Sequence, residues 1–160
     1  LCDDNLIEDL GILADGNQWT VSGNLVPELD EDWYTFIAPD DNDQDVLEGH
    51  DDYHLHVAFD PAGGNPDGEF VFNLYRKEQI NLTCAQKGTP VCVAEDTEYS
   101  RVHDCVDNPE PDLCRAEGVT TSAGPCLCHD NTAKYWLQVV RASGHPVTCN
   151  GYTLVVSFTE

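Results

Sequence analysis

The chain has 160 residues, 41% of them hydrophobic, which is enough for one domain with a real core and excludes a disordered chain. Thirty acids against seven bases give a formal charge of −23, so nucleic acid and an anionic membrane surface are excluded as partners, while cations and basic partners are favoured. No run approaches the roughly 20 apolar residues of a membrane helix.

The first residues carry an acidic cluster, Asp3, Asp4 and Asn5. Leu1 opens the chain abruptly, so a leader removed in processing, or excision from a longer protein, is expected. From 19 to 36, two strand-like segments flank a short acidic turn. Trp19, Val21 and Leu25 start a predicted first hairpin, and Tyr34 and Phe36 continue it. Carboxylates at its mouth and again at the N-terminus repel one another unless a hard cation sits between them.

Asp41-Asn42-Asp43-Gln44-Asp45 has the alternating acids of a calcium loop, but Val46 stands where an EF-hand needs Gly and Asp52 where it needs Glu. A solvated connector is the expectation. Tyr53, Leu55, Val57 and Phe59 alternate as a strand, and His54 and His56 share its opposite face, with His50 nearby. Imidazoles at i and i+2 can chelate zinc or copper, but an outward face also calls for polar residues. Phe70, Phe72 and Leu74 form a further strand, followed by a glycosylation sequon, Asn81-Leu82-Thr83.

Residues 83–130 differ. Six of the eight cysteines lie there, among prolines and acids, and alternation is weak. The segment reads as a cysteine-rich, disulfide-held insertion within a single β-sandwich domain spanning 1–160. An even cysteine count without Cys-x-x-Cys spacing favours disulfides over zinc and an oxidising, extracellular compartment. All eight cysteines are expected to pair, with Cys105–Cys114 and Cys2–Cys149 among the candidate bridges. After the segment, Tyr135, Leu137 and Val139 make a strand. Gly144 and Pro146 turn the chain, and Tyr152, Leu154, Val156 and Phe158 make the last strand. Many short strands without a helical apolar stripe predict an all-β antiparallel sandwich, jelly-roll-like.

Five motifs in order carry a family resemblance. They are Asp3-Asp4-Asn5, Val21-Ser22-Gly23-Asn24-Leu25, Asp30-Glu31-Asp32-Trp33-Tyr34-Thr35-Phe36, Phe72-Asn73-Leu74-Tyr75, and the closing pair Tyr135 to Val139 and Asn150 to Val156. In this order they resemble the bacterial pre-peptidase C-terminal domain, over most of 3–82 and 131–158. The resemblance implies a secreted, non-catalytic β-sandwich attached to a peptidase or another exported protein. Related collagen-binding domains of clostridial collagenases hold calcium between the N-terminal acids and the Asp before the aromatic strand. By position, Asp3, Asn5, Asn24 and Asp32 fall on that pattern, with Asp30 beside it. Leu1 and Leu6 stand where those relatives carry acids, so the ligand set is reduced.

The resulting expectation is an accessory or binding module, calcium-stabilised through Asp3, Asn5, Asn24, Asp30 and Asp32, with no catalytic residue. No serine lies in Gly-x-Ser-x-Gly, and no His-Glu-x-x-His occurs. The partner would be a protein, a polysaccharide or a further copy of the chain. Two alternatives stand beside this reading: a structural subunit of an extracellular filament or surface layer, and a fragment of a secreted hydrolase.

Overall fold

The computed structural model describes residues 7–27, 29–39, 52–77, 79–88, 92–96, 98–104, 113–114 and 132–159. Ten strands follow one another along these residues: β1 (Glu8–Ile12), β2 (Gln18–Asn24), β3 (Asp32–Ala38), β4 (Asp52–Phe59), β5 (Phe70–Lys77), β6 (Cys92–Asp96), β7 (Glu98–Asp104), β8 (Leu113–Cys114), β9 (Ala133–Arg141) and β10 (Gly151–Thr159). They form two five-stranded sheets, ordered β1-β3-β9-β5-β6 and β2-β10-β4-β7-β8. All pairs are antiparallel except β1 with β3.

Alternation explains the layers. Tyr34, Phe36 and Ala38 of β3 point to the same side as Phe70, Phe72 and Leu74 of β5 and Tyr135, Leu137 and Val139 of β9. The second sheet faces them with Val21, Leu55, Val57, Leu154, Val156 and Phe158, and all of these residues are buried. Each such side chain contributes about 1.5–3 kcal/mol when removed from water. Aromatic contacts knit the layers: Phe59 of β4 meets Phe72 at 5.9 Å, and Trp19 of β2 stands edge-on to Phe36 at 6.2 Å.

The outer face of the first sheet carries a second, smaller core. Trp33, Trp136 and Cys84 are buried there, with Ile7, Tyr75 and Leu82 packed against them. Trp33 stacks on Tyr75 at 5.8 Å, and the Lys87 ammonium lies 4.8 Å from the Tyr75 ring centre. A one-turn 3₁₀ helix, Cys84–Gln86, brings Cys84 and Lys87 to this face. Its start is closed by the Thr83 N–H, which donates to Gln86 Oε1 at 3.0 Å.

Three expectations need correction. The predicted first hairpin is not one, because β2 and β3 belong to different sheets. The link 25–31 crosses the end of the sandwich, so the buried residues of both strands face each other across the core. Second, the segment 83–130 contributes β6 to one sheet and β7 and β8 to the other. β6 and β8 are edge strands, where one-sided pairing does not demand a strict apolar alternation, while β7 pairs with β4 on one side and β8 on the other.

Third, pairing of every cysteine fails at Cys149, which is exposed with a free thiol. Its loop is held instead by Thr148 and Asn150, both bonded to Glu69. Cys84 is disulfide-bonded and fully buried. Beyond it, the described side chains give no support for a disulfide-rich insertion. Cys2 and Cys105 lie outside the described residues. The strand Glu8–Ile12 was not anticipated, since Ile12 is 63% exposed and the parallel edge position leaves little apolar signal.

Candidate metal-binding corner

Where β2 ends and β3 begins, the chain passes over one end of the sandwich. Asp32 shares the inward parity of Tyr34 and Phe36, so its carboxylate turns toward the core end of β10 rather than to open solvent. There the Tyr152 hydroxyl donates to Asp32 Oδ2 at 2.6 Å. The Tyr34 and Tyr152 hydroxyls are 2.7 Å apart. Tyr152 has one hydroxyl proton and gives it to Asp32, so Tyr34 donates to Tyr152. The result is a directed chain from Tyr34 through Tyr152 to Asp32. Gly23 of β2 closes the site from the other sheet, because a side chain there would collide with this pair.

The electrostatics follow from this packing. Burial pushes the Asp32 carboxyl above the usual carboxylate range, and the neighbouring Asp30 charge pushes it the same way. The hydrogen bond from Tyr152 offsets only part of this. Burial also pushes both tyrosines up, Tyr152 most of all, with its bonds to Asp32 and Tyr34 adding to the effect. A partly buried carboxylate repelled by a second one is a place where a cation would relieve strain of charge.

Asp30 serves the link itself. Its Oδ2 accepts from the Val26 N–H and its Oδ1 from the Glu31 N–H, both at 3.1 Å. Its own N–H donates to the Pro27 carbonyl at 2.9 Å. The Val26–Pro27 peptide is cis. Asn24 is exposed at the end of β2, opposite Gly151. Of the five expected ligands, Asn24, Asp30 and Asp32 therefore lie along one short stretch, while Asp3 and Asn5 are outside the described residues. Among the described residues, no group of three or more His, Cys, Asp or Glu converges to hold a metal. The donors that are described are hard oxygens, which suit calcium, with Asp32 the one carboxylate turned into the corner.

Sequence reasoning missed two supports. Glu31, with outward parity, accepts from the Gln138 amide on β9, and Gln138 in turn accepts from Asn73 of β5 at 2.8 Å. Burial pushes the Glu31 carboxyl up, but hydrogen bonds, the one from Gln138 included, outweigh it and hold the group below its ordinary value. The second is a nearly buried ion pair between Arg141 and Glu69. Arg141 also donates to the Leu25 carbonyl at 2.7 Å, which ties the start of the link to β9. A lone Arg at the end of an apolar strand was the available signal for this pair.

The histidines of β4 stay side by side. His54 and His56 share the outer face of the second sheet, and no third ligand joins them among the described residues. His50 and Asp41 to Asp45 lie outside those residues.

No family model and no curated protein match the chain. Among solved structures, it is similar to the pre-peptidase C-terminal domain of the collagenase from Bacillus anthracis. The identity is 13%, the match covers 96% of this chain and 94% of that one, and the TM-score is 0.35.

Proposed function

We propose that the chain is a non-catalytic, secreted accessory module, a β-sandwich that binds a partner and is stabilised by calcium at the corner between β2 and β3. The observation that carries the reading is the state of Asp32. Its carboxyl is drawn into the corner by Tyr152, opposed by Asp30, and pushed up by burial and repulsion. A divalent cation bridging such carboxylates replaces repulsion with attraction and favours the ionised form. Asn24 ends β2 and Asp30 stands on the link that follows it, and Asp3 and Asn5 complete the donor set by the order of motifs.

The order of five short motifs along the chain supports the accessory role. Secretion is supported by that order and by the disulfide at Cys84. Calorimetric titration with calcium tests the metal, and Asp32→Ala should abolish the heat. A screen of peptide and glycan substrates tests the absence of catalysis. Turnover that survives repurification and is lost with one point substitution would overturn the accessory role.

A further inference from the structure

A sheet edge offers a row of unpaired N–H and C=O groups, and folded proteins guard such edges with charge, bulges or shortness. Four strands end the two sheets among the described residues: β1, β6, β2 and β8. Three of them are guarded. β1 begins with Glu8 and Asp9, and its register slips between Asp9 and Gly11. The pairing of β6 slips between Phe72 and Leu74 of its partner strand. β8 is two residues long.

β2 is different. Its seven residues, Gln18 to Asn24, contain no charge and no proline. Its ladder with β10 runs from Ser157–Gln18 to Gly151–Asn24 without a register shift. Beside it lies a cleft of about 310 Å³, lined by Gln18, Trp19, Thr20 and Ser22 of β2 and by Glu8 of β1. Trp19 is only partly buried there.

We propose that the edge of β2 receives an extended basic peptide, which adds a strand to the second sheet. Backbone hydrogen bonds to β2 supply affinity, and alternate side chains of the ligand are read in the cleft. An apolar side chain lies against Trp19, and a lysine or arginine next to it pairs with Glu8. Charge decides the occupant. The cleft lining holds a carboxylate and no base, and the chain carries −23. An acidic peptide, or a second copy of the chain, would be repelled on approach.

The proposal names a partner for the accessory module, and its test reads β2 alone, so it can fail without the calcium reading failing. The probes are an end-capped octapeptide alternating lysine with valine, its twin alternating glutamate with valine, and the lysine peptide N-methylated along its whole backbone. Amide shifts and hydrogen exchange of the ¹⁵N-labelled chain are followed on adding each. The lysine peptide is expected to shift and protect amides of 18–24, and the other two are expected to leave them unchanged. Glu8→Lys, at an exposed position, should weaken the lysine peptide by about threefold to tenfold. Unmoved β2 amides would overturn the proposal, as would equal binding of the glutamate or the N-methylated peptide. So would β2 shifts that follow protein concentration alone, which would make a second copy the occupant.

Discussion

Gly23 stands so close to Asp32 that a side-chain carbon at Gly23 would lie 2.5 Å from Asp32 Oδ2 and 2.6 Å from the Tyr152 hydroxyl. The two residues belong to different sheets, so the glycine allows the corner to close. Gly23→Ala must displace the carboxylate and the phenol together. The expected cost is about 1–3 kcal/mol, the usual range for overpacking. Chemical denaturation measures it, and the calcium response of the variant should fall with the displaced Asp32.

Asp32 also predicts a pH dependence. Its folded carboxyl sits above the ordinary value of 3.8, so the folded state holds this proton more tightly than the unfolded chain does. In calcium-free buffer, its contribution to stability is therefore full below that ordinary value. It is lost as pH rises through the raised folded value. Asp32→Asn keeps an oxygen for Tyr152 and removes the charge. It should raise the calcium-free melting temperature near neutral pH and flatten this part of the pH profile. An unchanged profile would mean that Asp32 is solvated like an ordinary surface acid.

The pair Glu69–Arg141 predicts a different kind of loss. Glu69 accepts from Thr148 at 2.5 Å and from Asn150 at 2.9 Å, and it also meets the Arg141 guanidinium. Arg141 in turn lies 5.6 Å from the Phe70 ring centre. Removing one member leaves the other charge buried and unpaired, which costs about 3–5 kcal/mol. Glu69→Ala should therefore destabilise the domain by that order in urea and release the amides of 142–150 to faster hydrogen exchange. Replacing both residues by apolar ones should cost less than either single change.

Most of the sandwich was legible because the core strands announce themselves by parity. Leu55, Val57 and Phe59, or Tyr152, Leu154, Val156 and Phe158, fit one face of a strand and nothing else. Sheet membership was not legible. The acidic link after Asn24 looks like a hairpin turn, yet the strands on either side of it share a core by facing rather than by hydrogen bonding. The edge strands β1, β6 and β8 were missed because an edge needs backbone pairing more than an apolar face. At the corner, Asp32 could be named from its place before the aromatic strand. Tyr152, 120 residues away, could not, because which buried hydroxyl meets which carboxylate depends on the pairing of β10 with β2.

Cys149 gives a direct chemical test. Its thiol is exposed and free, so the folded, unreduced protein should react with a thiol reagent at this position, and Cys149→Ser should remove that reaction. Cys84 is buried and bonded and should not react until the protein is both unfolded and reduced. A native protein without any reactive thiol would restore full pairing.

The calcium-stabilised corner is tested most directly by thermal melts of the chain with calcium and with a chelator, run in parallel on Asp32→Ala. A cation that binds only the folded state adds about 2.7 kcal/mol at a free concentration one hundred times its dissociation constant. For a chain of this length that corresponds to roughly 5–10 °C. The parent protein should show a rise of this size with calcium, and Asp32→Ala should lose most of it. Identical melting temperatures with calcium and with chelator would contradict the account, and Asp30 and Asp32 would then be a hydrogen-bonded turn with no cation to hold.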